Sequence, residues 1–114
     1  MTNSVNDQQA QLEQLELAKI NMDTAKASWQ ELEVFFARGQ IIAVDKQLDL
    51  VQVAKQLMDD NKEFFEQQLE QGYIIKPDID WVKKNCHATT LFWTTVIAPY
   101  VLIQPCNDKN GQTD

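Results

Sequence analysis

The sequence predicts an α+β fold in which helices pack on a small, mostly antiparallel sheet, and three observations predict it. Leu15, Ala18, Met22, Ala25, Trp29, Leu32 and Phe36 recur at alternating steps of three and four, which places them on one stripe of a helix. Two phrases, Gly39-Gln40-Ile41-Ile42 and Gly72-Tyr73-Ile74-Ile75, each read as a helix stop followed by a strand. Glycine takes the left-handed position after a last helical turn, and the apolar pair suits a pleated sheet. The stretch from Thr89 to Gln104 is dense in β-branched and aromatic side chains, which is the composition of strands.

Taken in order, residues 1–10 are polar and expected to be disordered, as are residues 105–114, which leaves one α+β domain over residues 11–104. The apolar stripe implies a long N-terminal helix carried through Ser28, although Ser28 and Glu31 have the spacing of a capping box that would start a new helix there. Gln40 to Val44 reads as a buried strand and Asp45 to Gln47 as its turn. Asp49 is placed to cap a helix whose apolar positions are Leu50, Val53, Ala54 and Leu57. Asp59, Asp60 and Asn61 interrupt that helix, and Asp60 with Glu63 restarts one that carries Phe64, Phe65 and Leu69 and stops at Gly72. Two short helices joined by a tight polar turn form a helix-turn-helix in the general sense. A strand over Tyr73 to Lys76, a turn at Pro77-Asp78 and a short helix from about Ile79 to His87 follow. Pro99 must interrupt the final β-rich stretch, because proline cannot donate to a sheet ladder. With one helix more than a winged helix has before its last strands, the order is winged-helix-like.

Composition narrows the class of function. A chain of 114 residues, 44% of them hydrophobic, can bury about 65% of the surface its unfolded form exposes, enough for a core without disulfides or metal. Ten Lys and Arg against seventeen Asp and Glu leave a net charge of −7, which argues against nucleic acid and anionic membranes as partners. The N-terminus has neither the basic start nor the apolar stretch of a secretory signal, and no apolar run reaches the length of a membrane span. A cytoplasmic protein is therefore expected, with Cys86 and Cys106 reduced.

A DNA-reading helix needs cations and amides toward phosphates and base edges. Over Leu48 to Gly72 two lysines, Lys55 and Lys62, stand against six acids, a net of −4, and Arg38 is the one arginine of the chain. DNA binding is thus a minor alternative resting on fold analogy. Cys86-His87 is the one place where a thiol meets an imidazole, but neighbours on a helix or strand diverge, a poor geometry for a nucleophile and its base. A small thiol-dependent enzyme or redox sensor using Cys86 is the second alternative. Asp45, Asp49, Asp59, Asp60, Asp78 and Asp80 all have helix-capping or turn explanations, and neither a calcium loop nor a glycine-rich phosphate loop is present. No catalytic residue, cofactor, metal ligand or small-molecule substrate is identifiable.

The residues do support contact with protein. The expected interface candidates are Leu12, Leu15 and Met22 on the apolar stripe, and Trp93 and Tyr100 on the last strands. A protein-interaction or regulatory module without catalytic activity is expected, its partner another protein or a second copy of the chain.

Trp29 with Leu32, Phe35-Phe36-Ala37-Arg38-Gly39, Leu48-Asp49-Leu50-Val51 with Val53-Ala54, and the ending Val96, Pro99, Val101-Leu102-Ile103-Gln104 together resemble a small bacterial family known as domain of unknown function 2288. The resemblance covers about Thr24 to Gln104, with Tyr100 standing where the family pattern has Trp. It implies a bacterial, cytoplasmic protein and supplies no activity, cofactor or catalytic residue.

Overall fold

The computed structural model describes Leu15 and residues 24–106. Leu15 is helical and 67% exposed, while Leu12 and Met22 lie outside the described residues. The predicted long helix does not continue through Ser28. Strand β1 (Ala25–Ser28) stands in its place, with Ala25 paired to Thr94 and Ser28 to Leu91. The reason lies in the capping box. Ser28 has extended backbone, its Oγ accepts from the Glu31 amide at 3.3 Å, and its own amide donates to the Glu31 carboxylate at 2.9 Å. That reciprocal pair starts helix α1 (Trp29–Ala37) and leaves the residues before it extended, so they are available to a sheet.

Strand β2 (Ile41–Val44) is buried along its length, and helix α2 (Leu50–Met58) follows a turn, with the Asp49 carboxylate accepting from the Val51 amide. Helix α3 (Lys62–Gln71) starts one residue later than the sequence implies. Asn61, not Asp60, is its N-cap and accepts from Phe64 N, while Asp60 occupies the left-handed region at φ 57° and makes the turn between the helices. Gly72, at φ 83°, ends α3 as expected. Strand β3 (Ile74–Ile75) is short, and helix α4 (Ile79–Asn85), capped by Asp78, precedes the hairpin of β4 (Leu91–Ile97) and β5 (Tyr100–Pro105). Ala98 and Pro99, joined by a cis peptide bond, form its turn, the break that the sequence placed there.

The sheet order is β1-β4-β5-β2-β3, with β2 and β5 parallel and the other three pairings antiparallel. The fold is α+β with a mixed sheet. It departs from the winged-helix-like expectation in two respects. Its last strand runs parallel beside β2 at the centre of the sheet, and helices cover both faces. Strand alternation explains the second point, since neighbouring residues of a buried strand point to opposite faces and both sets must be covered. Ile42, Val44, Ile74 and Leu102 meet α2 and α3 on one face, while Ile41, Ala43, Val101 and Ile103 meet α1 and α4 on the other. On the second face Trp29, Phe36, Trp81 and Phe92 pack their rings together, with Trp29 and Phe92 centroids 6.1 Å apart. Among the described residues no helix is long and apolar enough to cross a membrane.

Candidate functional site

Helix α3 shares with α4 the lack of any fully buried residue. It carries Phe64, Phe65 and Leu69, and Leu69 is 43% exposed. The sheet beside it is short, since β3 supplies two residues. Phe64 and Phe65 meet edge to face at 5.3 Å and hold the helix to the core, and Leu69 one turn on from Phe65 stays open.

Between α3 and the sheet runs an open groove of about 330 Å³. Ile42, Ile74 and Tyr100 supply its floor from β2, β3 and β5, while Leu57, Phe65 and Leu69 supply the helical wall. Lys62, Glu66, Lys76 and Asp60 stand around it. An apolar centre within a polar rim is the anatomy of a protein-binding surface. Glu63, Glu66 and Glu70 follow i, i+3, i+7 spacing and share one exposed stripe of α3, of which Glu66 reaches the groove.

Of the five interface candidates read from the sequence, Tyr100 lies in this groove, half-buried against the α2–α3 core. Trp93 does not. It sits toward the other end of the hairpin, opposite Gln104, 38% exposed, with the Lys26 ammonium 5.1 Å above its ring. Leu15 is exposed, and Leu12 and Met22 fall outside the described residues. In the sequence Phe65 and Leu69 are apolar positions of a helix and Ile42 and Ile74 are strand residues, with nothing in the spacing that joins them into a site.

Cys86 and His87 do not form a catalytic pair in geometry. Cys86 ends α4 half-buried among Trp81, Val82 and Phe92, and burial pushes its thiol up from 9.0 to about 11. His87 is exposed, its amide bound to Thr90 Oγ1. Among the described residues no three His, Cys, Asp or Glu side chains gather where they could share a metal ion. A hollow of about 370 Å³ on the α1–α4 face reaches Trp81, Asn85 and Cys106. Its walls are occupied with the fold, since Trp81 packs on Phe92 and the Asn85 amide donates to the Trp81 carbonyl at 2.9 Å.

Comparison with known proteins gives a family and a fold. Residues 16–105 match the family described as Protein of unknown function (DUF2288). The chain is similar to the NMR solution structure of PA1075 from Pseudomonas aeruginosa, with 37% sequence identity, 86% of this chain and 88% of that chain covered, and a TM-score of 0.71. No curated protein matches it.

Proposed function

Since the chain belongs to the DUF2288 family, whose function is unknown, we propose that it acts as a protein-interaction or regulatory module without catalytic activity, receiving its partner in the groove beneath α3. The observation that carries this reading is the open, apolar-floored groove walled by Phe65 and the 43%-exposed Leu69. An exposed apolar patch within a polar rim is the mark of an interaction surface.

Two other readings receive less support. A DNA reader would turn α3 toward phosphates, and the exposed stripe of Glu63, Glu66 and Glu70 would repel them. A thiol enzyme would need a thiolate at neutral pH, and the burial of Cys86 favours the neutral thiol.

Affinity capture from a bacterial lysate with the wild-type chain and with Leu69→Gln, at low and moderate salt, tests the proposal. Glutamine keeps helix propensity and adds no charge. Proteins held by the wild type and lost from the variant are expected. Capture of nucleic acid, or an identical protein set on both chains, would overturn the reading.

A further inference from the structure

We propose that residues 16–23 of the chain itself seat along one flank of α2, with Ile20 and Leu17 on Val51, the Lys55 stem and Met58, and so cover the hollow beside Trp93. The inference is independent of the contact reading above and concerns a different surface.

That surface is built from α2 and β4. Leu50, Val53, Ala54 and Leu57 turn to the core, while Val51, Lys55 and Met58 recur at i, i+4 and i+7 and form a second strip along the flank of the helix. Val51 is half-buried, Met58 is 44% exposed, and Lys55, which pairs with Asp59, is 8% exposed. Burial of that degree on a helix flank takes chain lying along the lysine stem as well as a counter-charge. At the start of the strip a hollow of about 280 Å³ opens beside Leu50, Val51 and Trp93.

The course of the chain selects the occupant. Thr24 lines that hollow, so the residues before it set out from there. They belong to the same unit as the sheet, since the family match begins at residue 16. Residues 16–23 lie outside the described residues, but Leu15 is helical and 67% exposed. With about 100° between successive residues of a helix, a water-facing Leu15 puts Leu17 about 200° and Ile20 about 140° round from it, on the opposite side. For a helix laid along α2, a rise of about 1.5 Å per residue sets Ile20 about 6 Å from Thr24, the one-turn interval that separates Val51 from Lys55. Leu17 then falls level with Met58. Starting point, side and spacing agree.

The test uses the full-length, isotope-labelled chain and amide shifts in NMR. Ile20→Gln and Leu17→Gln are expected to move the amides of Val51, Lys55 and Met58 and the Trp93 indole signal, and to lower the urea midpoint. Glutamine keeps helix propensity, so lost burial is what these variants report. Leu15→Gln, on the water side, is expected to move neither. A nitroxide carried on Leu15→Cys in a Cys106→Ser background should broaden the amides of α2 and leave those of α4, on the other face of the sheet, sharp.

Equal effects of Leu15→Gln and Ile20→Gln, unmoved α2 signals in both Ile20→Gln and Leu17→Gln, or broadening as strong at α4 as at α2 would overturn the proposal. Broadening of isotope-labelled, nitroxide-free chains on mixing with nitroxide-labelled ones would also overturn it, because the segment would then seat on a second copy.

Discussion

The side-chain amide of Gln104 on β5 donates to the backbone oxygen of Leu48 at 2.7 Å, and the same nitrogen reaches the Asp45 carbonyl at 3.0 Å. One side chain thereby ties the loop between β2 and α2 to the strand running parallel to β2. It fixes where α2 starts, and through the short Asp59–Asn61 turn it fixes where α3 and the groove lie.

Replacing Gln104 by Leu removes both donations and leaves two carbonyl oxygens without that partner. A loss of about 1–3 kcal/mol is expected, read as a lower urea midpoint at unchanged slope. Gln104→Glu should cost at least as much at neutral pH, because a carboxylate cannot donate to either carbonyl.

Ser28→Ala tests why β1 exists. Losing the capping box should destabilise the chain by about 1 kcal/mol and release the first turn of α1. Hydrogen exchange at Glu31 and Leu32 is expected to quicken, with protection at Leu102 and Ile103 following the global change alone.

Thr95 is buried at 1% exposure, and its Oγ1 has no hydrogen-bond partner among the described residues. Valine has nearly the same shape without the hydroxyl, so Thr95→Val should raise stability by about 1 kcal/mol, seen as a higher urea midpoint. A fall of that size would show that the hydroxyl is satisfied in solution.

Cys86 should be unreactive. With its thiol pushed up to about 11 from 9.0, the thiolate fraction near pH 8 falls about a hundredfold. In a Cys106→Ser background, labelling of the folded chain by a disulfide reagent should be slower than in urea by about that factor. The linkage has a definite sign. The folded chain favours the neutral thiol, so this contribution is complete below about pH 9 and is lost as pH rises toward 11, where unfolded chains ionise first. Urea midpoints measured across that interval should fall.

Much of the fold was legible because its signals are local. The caps at Asp49 and Asp78, the stop at Gly72 and the break at Pro99 each depend on a few neighbouring residues, and each stands where the sequence puts it. The same locality misled at Ala25, whose place in an apolar stripe reads as helix until the Thr94 partner is known. It misled at Asp60 too, where an acid three residues before Glu63 looks like a cap although its backbone is left-handed and Asn61 caps instead. The parallel pairing of β2 with β5 joins residues about sixty positions apart, and no periodicity reports it. That pairing makes the sheet two-sided and separates the structure from a winged helix.

The groove was legible in its parts and not as a site. Tyr100 was singled out, and the acids of α3 were read as a barrier to DNA. Phe65 and Leu69 were indistinguishable from core, since apolar spacing says which way a residue faces and not whether anything lies opposite.

The central claim is that contact is made at this groove, and the direct measurement is amide-shift mapping of the labelled chain with a protein partner obtained by affinity capture. The account predicts perturbation centred on Phe65, Leu69, Ile74 and Tyr100, with Lys26 and Trp93 unaffected. Perturbation centred on Lys26 and Trp93, with the residues around α3 unchanged, would contradict it.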